Sequence, residues 1–267
     1  MRWDPAKYAA FSDHRSRPFF DLVGRIEHPA PRRVIDLGCG PGELSVVLAR
    51  RWPEAEVLGI DSSPEMIERA HSLEDTPANL FFALGDVRDW MPEAATDVVV
   101  SNAVLQWVPG HQALLRRWAV ALEDRAWLAF QVPGNFSAPS HVLMRGLAES
   151  ERWNDQLGSV LRHDDAVSSP EDYHRLLCGA GLETEVWETT YQHRLTGADP
   201  VLEWVRGTGL RPVLAALPAA DAAEFERTYA RMLAEAYPPE ADSGTLFAFR
   251  RIFAVGTTPT AGSSPAA

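Results

Sequence analysis

The chain has 267 residues, 46% of them hydrophobic, with 25 lysines and arginines set against 37 aspartates and glutamates. That length suits one large α/β domain or a domain with an inserted cap. A formal net charge of −12 argues against general binding to nucleic acid or an anionic membrane, since phosphate contacts need a basic face.

The first residues, MRWDPAKYAAFSDHRSRPFF, contain no apolar run of signal-peptide length, and no later segment approaches the roughly 20 apolar residues of a membrane span. The expectation is a cytoplasmic protein. Cys39 and Cys178 are the two cysteines, which excludes a disulfide framework or a CxxC metal site.

In chain order, residues 1–30 read as a covering helical segment. Apolar, β-rich runs then alternate with amphipathic stretches of helical length, the pattern of a parallel sheet covered on both faces. Strands are predicted at Arg33–Leu37, Glu56–Ile60, Leu80–Leu84, Thr96–Ser101 and Ala126–Val132. Helices are predicted at Glu43–Arg51, Pro64–His71 and Pro109–Leu122, with Pro64 and Pro109 in their first turns. After Val132 the rhythm breaks. A helix near His141–Ser150 and another opened by Ser169-Pro170 precede strand-like runs at Glu183–Leu195 and Leu246–Val255, with helical Pro200–Gly207 and Ala220–Tyr237 between those two runs. These pieces predict cap elements at about 135–180 and 198–240 on a main domain of residues 31–256, followed by a disordered tail at 257–267.

The stretch VIDLGCGPGELS, residues 34–45, places Gly38, Gly40 and Gly42 between a strand and a helix start. In a doubly wound sheet ligands lie beyond the carboxyl ends of the strands. A dinucleotide loop wants a small third glycine position in GxGxxG and a free helix N-terminus for the pyrophosphate. Here Glu43 occupies that position, which disfavours NAD. Aspartates Asp36, Asp61 and Asp86 follow three successive predicted strands. Any one of them alone reads equally well as a turn former or helix cap. Cys39 reads as a small side chain in a tight loop, not a nucleophile.

Led by Asp36, the glycine spacing resembles the DxGxGxG loop of class I S-adenosylmethionine-dependent methyltransferases. The resemblance implies an α/β, doubly wound, Rossmann-like sheet with a helical cap built from the N-terminal segment and the C-terminal insertions, and S-adenosyl-L-methionine as cofactor. In that reading Asp36 lies near the ammonium end of the cofactor, Asp61 accepts from the ribose hydroxyls, and Asp86 with Val87 borders the adenine. Gly38, Gly40, Ser62, Met66, Asn102, Gln106 and Trp107 complete the expected cofactor set. Trp107 screens the methyl from water or, equally, packs a helix.

The strings WDPAKYAAFSDHRSRPFFDLVGRI, VVSNAVLQWVPGH, APSHVLMRGLA and EWVRGTGLRP are similar to those of the bacterial trans-aconitate methyltransferases, essentially from end to end. That family transfers a methyl group to a carboxylate of a small tricarboxylate. Such a nucleophile has an ordinary pKa near 4 and is already ionised, so no general base is assigned. The trianion calls for arginines, whose planar forks match carboxylates. The candidate substrate residues are Tyr8, Phe11, Arg15, Arg17, Arg206 and Arg211, with Gln131, His141, Tyr191 and Arg145 as weaker polar candidates. No HExxH or GxSxG motif is present, so neither metal binding nor hydrolysis is expected. Nucleic-acid and membrane partners are not expected either. A monomer is compatible with the sequence. Alternatives within and beyond this chemistry are a methyltransferase of another metabolite and a nucleotide-binding regulator or NAD enzyme.

Overall fold

The computed structural model describes residues 16–157, 160–161, 166–207, 209–240 and 244–260. The chain divides into two compact units, one of Met1–Val132, Ser168–Thr189 and Ile252–Ala267, the other of Pro133–Val167 and Thr190–Arg251.

The first unit opens with helix α1 (Arg17–Val23), which buries Phe19, Phe20, Leu22 and Val23. There follow β1 (Arg33–Leu37), α2 (Glu43–Arg51), β2 (Glu56–Asp61), α3 (Pro64–His71), β3 (Leu80–Leu84), β4 (Thr96–Asn102), a 3₁₀ turn at Leu105–Trp107, α4 (His111–Ala121) and β5 (Trp127–Pro133). The α3 start is as expected: Pro64 occupies the first turn, and the Ser63 hydroxyl accepts from the Met66 amide at 3.3 Å. Helix α4 starts later than expected. Gly110, at φ 70°, turns the chain as the N-cap, so Pro109 lies outside the helix.

Strands β1, β2, β3, β4 and β5 pair in parallel, β1 with β2 and β4, β2 with β3, and β4 with β5. The order across the sheet is β3-β2-β1-β4-β5, continued by β7 (Thr245–Thr257) and β6 (Glu183–Leu195). The chain thus starts in the middle of the sheet, winds outward through β2 and β3, and returns to lay β4 against β1. This reversal creates the crevice at which doubly wound folds bind ligands. Val98, Val99 and Val100 of β4 are fully buried, as a parallel strand covered on both faces requires. Strand β7 runs antiparallel to β5. The Thr258 amide donates to the Ala126 carbonyl at 3.0 Å, and the Gly134 amide donates to the Arg250 carbonyl at 2.9 Å, so numbers rise along one strand as they fall along the other.

Helix α7 (Pro170–Gly179) belongs to the first unit. There the Tyr173 hydroxyl lies 2.7 Å from His111 Nε2 and 3.2 Å from the Ser168 amide that donates to it. The range 135–180 expected for a cap therefore runs one helix too far. The second unit holds α5 (Pro139–Ala148), α6 (Asn154–Leu157), α8 (Pro200–Arg206), α9 (Arg211–Ala216) and α10 (Ala219–Ala236). Their apolar faces share one core that includes Met144, Trp153, Val205, Leu210, Phe225, Tyr229 and Phe247. Ser140 pins the start of α5: its amide donates to the Tyr237 hydroxyl at 3.0 Å, and its carbonyl accepts from the Tyr229 hydroxyl at 2.7 Å. The short α9 was not predicted. Order also extends past the expected start of the tail, because β7 runs through Thr257 and the Thr258 hydroxyl accepts from the Ala126 amide at 2.8 Å. Among the described residues no helix is long and apolar enough to cross a membrane.

Candidate functional site

Between β1 and α2 the backbone takes positive φ at Gly38, Gly40 and Gly42, where a side chain is strained. The surroundings of the three differ. A Cβ at Gly38 would lie 2.1 Å from Val104 Cγ2, and one at Gly42 would lie 2.6 Å from Phe82 Cζ, whereas one at Gly40 would meet nothing within 4 Å. Gly38 and Gly42 are thus dictated by close packing inside the protein. Gly40 borders open space and leaves its backbone accessible to a ligand. The loop is fastened to β2 by the Gly38 and Cys39 amides, which donate to the Ile60 carbonyl at 2.7 and 3.0 Å. Cys39 is buried and its thiol is pushed up by that burial, so it is not a nucleophile at neutral pH.

Three carboxylates stand at successive strand ends, each in a different environment. Asp36, level with Gly59 of β2 and Val100 of β4, is 3% exposed. Burial pushes its carboxyl up to about 6, against a hydrogen bond from the Ser45 hydroxyl at 2.6 Å and with a smaller push from the charge of Asp61. Asp61 ends β2. Its Oδ2 accepts from the Gly40 amide and its Oδ1 from the Ser63 amide, both at 2.9 Å. One side chain therefore ties the glycine loop to the entry of α3, while the Asp61 carbonyl accepts from the Gly85 amide at 3.0 Å. Asp86, just past β3, is held down at about 2 by the Arg88 guanidinium and amide. It already has a cationic partner, and buried Val87 follows it.

At the end of β4, Ala103 adopts φ 58°, an uncommon conformation for a residue with a Cβ and one that clusters at functional sites. Its amide donates to the Gln131 carbonyl at 2.9 Å, and its carbonyl accepts from Gln106 Nε2 at 2.7 Å. The Ser101 hydroxyl donates to the Leu37 carbonyl at 3.1 Å. Asn102 lies beside them, with a buried Oδ1 that accepts no hydrogen bond from the described residues. Trp107 is 49% exposed in the 3₁₀ turn. On α3, Met66 is half-buried, while Ser62, just before the helix, is exposed.

The expected substrate residues are placed less uniformly. Tyr8, Phe11 and Arg15 lie outside the described residues. Arg17 is exposed at the start of α1, and Gln131 is buried opposite Asn102. In the second unit, His141 packs edge-on against Phe136 at 5.6 Å, with its Nδ1 3.3 Å from the Ser140 hydroxyl. With Arg145, Gly209 and Pro212 it lines a cavity of about 20 Å³. Tyr191 is buried on β6. Arg211 is exposed at the first position of α9. Arg206 bonds two acidic side chains: its guanidinium is shared by Glu226, at 2.8 Å, and Glu203.

A family model described as a methyltransferase domain matches residues 11–187. A trans-aconitate 2-methyltransferase of Rhodococcus jostii is 54% identical over 254 residues, covering 95% of this chain and 98% of the relative. The chain belongs to the trans-aconitate 2-methyltransferase family. A family relative from Streptomyces avermitilis is 53% identical over 258 residues, covering 95% of this chain and 96% of its own. Among solved structures, the YcgJ protein of Bacillus subtilis superposes with a TM-score of 0.58 at 17% identity, covering 92% of this chain and 99% of that one. That likeness establishes the shared fold alone.

For a methyltransferase the arrangement offers a backbone edge at Gly40, a buried carboxylate below it and a second carboxylate fixed beside it. Several neighbours escaped the sequence reading. Ser45 lies nine residues after Asp36, and its one signal is a hydroxyl in the otherwise apolar face of ELSVVLA. Arg88 was legible as the i+2 partner of Asp86 in DVR. The strained Ala103 carries no sequence signal, because only the backbone course shows it.

Proposed function

We propose that the protein transfers a methyl group from S-adenosyl-L-methionine to one carboxylate of trans-aconitate, giving the monomethyl ester and S-adenosyl-L-homocysteine. The observation that carries the reading is the glycine loop itself: Gly40 opens on free space between a desolvated Asp36 and an anchored Asp61, in a chain that matches this family nearly end to end. These residues fit the cofactor. A buried carboxylate displaced upward gains from a nearby ammonium. The orphaned Oδ1 of Asn102 is an acceptor in want of a donor. A side chain at position 40 would fill the space a ligand needs.

When bound, S-adenosyl-L-methionine supplies a sulfonium methyl: a carboxylate oxygen donates the pair that forms the O–CH₃ bond, and the S–CH₃ pair stays with sulfur. No proton moves, so the protein supplies no base. Asp36, Gly38, Gly40, Asp61, Ser62, Met66, Asp86, Val87, Asn102, Gln106 and Trp107 are the residues we assign to cofactor binding. Asp61 carries the largest share of positioning because it also orders the loop. Asp86 acts through the carboxylate edge left by Arg88, and Trp107 screens the reacting methyl from water. We retain Tyr8, Phe11, Arg15, Arg17, Gln131, His141, Tyr191 and Arg211 as substrate residues. Holding the reacting atoms in line can supply up to about 7–11 kcal/mol. We assign the methyltransferase domain to residues 31–256. We also place the protein in the cytoplasm, whose reducing conditions suit free thiols at Cys39 and Cys178.

The test is transfer of labelled methyl from S-adenosyl-L-methionine across di- and tricarboxylates. Trans-aconitate should be the preferred acceptor, and mild base should release methanol from the product. A base-stable product would point to nitrogen methylation, and no transfer to any polycarboxylate would overturn the reading.

A further inference from the structure

The second unit contains a cavity of about 200 Å³ formed by residues of that unit alone. Its walls are largely apolar: Val201 and Leu202 of α8 and Leu233 of α10 are each at most 4% exposed. Tyr237, also in the lining, is held from behind. Its hydroxyl accepts from the Ser140 amide at 3.0 Å, and its ring meets Phe247 edge-on at 5.5 Å. Gly197 borders the cavity at φ 106°, and a Cβ there would meet nothing within 4 Å, the same openness that Gly40 shows.

Asp199 is the one charged residue among the described residues that line this space. It stands at the N-cap of α8, yet its backbone is left-handed, at φ 48°, and its carboxylate caps no amide. An N-cap aspartate ordinarily has an extended backbone and accepts from the second or third helical amide. Among the described residues this carboxylate has no hydrogen bond or ion pair, and left-handed residues with a Cβ cluster at ligand clamps and active sites.

We infer that this cavity binds a small amine with an apolar body, the body filling the space and the ammonium meeting Asp199. The volume suits a ligand of that size, since an apolar cavity of about 150 Å³ takes up benzene. The lining decides the chemistry. An apolar wall rewards a body that leaves water, an uncompensated carboxylate favours a cation over a neutral molecule, and it repels an anion. The inference is independent of the methyl-transfer reading, because no lining residue belongs to the glycine loop or to the substrate set.

The experiment titrates phenethylamine, its neutral isostere phenethyl alcohol and the anion hydrocinnamate calorimetrically into the intact protein. The amine should bind with a Kd of roughly 0.1–1 mM, about three- to fivefold tighter than the alcohol, as a partly exposed ion pair allows. The anion should bind weakest. Asp199→Asn keeps a residue type that readily adopts the left-handed backbone, so it should bind the amine and the alcohol equally. Ala230→Leu fills the cavity from half-buried Ala230 on α10 and should abolish binding of all three. Ala234→Leu, at an exposed position of the same helix and in the same lining, decides the matter if Ala230→Leu does not fold. No amine binding by the wild type, no preference for the amine over the alcohol, a preference that survives in D199N, or binding retained in the leucine variants overturns the inference.

Discussion

Replacing Asp36 by asparagine should make the ligand-free protein more stable and the enzyme worse. The carboxyl is fully buried and displaced from an ordinary 3.8 to about 6, which at ~1.36 kcal/mol per pH unit corresponds to about 3 kcal/mol held against its ionised form. The sign follows from linkage. A group raised in the folded state is neutral in both states below about pH 4, where it costs nothing. The cost grows as pH rises from about 4 to 6 and stays constant above. Asparagine has the same shape, and its amide oxygen can accept the Ser45 hydroxyl, so D36N should gain up to about 3 kcal/mol at pH 7.5 and roughly half of that at pH 5. Denaturant titration of both proteins at the two pH values measures the gain. Calorimetry with S-adenosylhomocysteine measures the loss: an ammonium deprived of a charge-assisted partner costs about 1.5–3 kcal/mol, or roughly 10- to 150-fold in Kd. Wild-type affinity should also weaken as pH falls through about 6, where Asp36 takes up a proton, and D36N affinity should stay flat. A D36N protein that is less stable at pH 7.5, or that binds S-adenosylhomocysteine as wild type does, refutes the assignment of Asp36 to the ammonium end.

Three further substitutions probe the same site. Asp61→Ala removes the acceptor of the Gly40 and Ser63 amides, so affinity for S-adenosylhomocysteine should fall by at least about 1.5 kcal/mol; unchanged calorimetry would exclude it as a ligand. Gly38→Ala and Gly40→Ala should separate packing from binding: the first drives a Cβ to 2.1 Å from Val104 and should cost well over 2 kcal/mol in stability by overpacking, whereas the second should cost about 1–2 kcal/mol through its left-handed backbone alone yet abolish measurable cofactor binding. Melting curves and calorimetry on the pair decide this, and equal destabilisation would contradict it. Arg206→Ala should leave KM for trans-aconitate within about twofold, since a cation already shared by two glutamates contributes little to a third anion; Arg211→Ala should raise that KM without changing the KM for the cofactor.

Legibility followed the physics of each feature. Strand positions could be read because a parallel strand buried on both faces leaves a continuous apolar run, as in Thr96–Asn102. The glycine loop could be read because positive φ and close packing leave the sequence few options at Gly38 and Gly42. What could not be read depended on partners distant in sequence. The bond from Arg206 to Glu226, twenty residues on, carries no local signal. Helix α7 was assigned to the cap because nothing in its own sequence reveals the pairing of Tyr173 with His111. Helix α9, six residues long, is too short for periodicity to register.

An acidic chain that is to bind a trianion, as the proposed function requires, has to solve a problem of charge. Net repulsion from a formal charge of −12 is screened beyond about 8 Å at physiological ionic strength, so recognition falls to the nearest charges. Several arginines outside the core carry acidic partners: Arg32 has Asp97 and Glu123, Arg152 has Asp221 and Glu224, and Arg206 has Glu203 and Glu226. Such pairs project little field. Asp36 differs from them, since its carboxylate stands in surroundings that disfavour charge, which raise it to about 6. The same desolvation that weakens the free protein strengthens the response to an opposite charge. An ammonium at Asp36 would relieve it, so affinity for the methyl donor is drawn from stability the ligand-free protein forgoes.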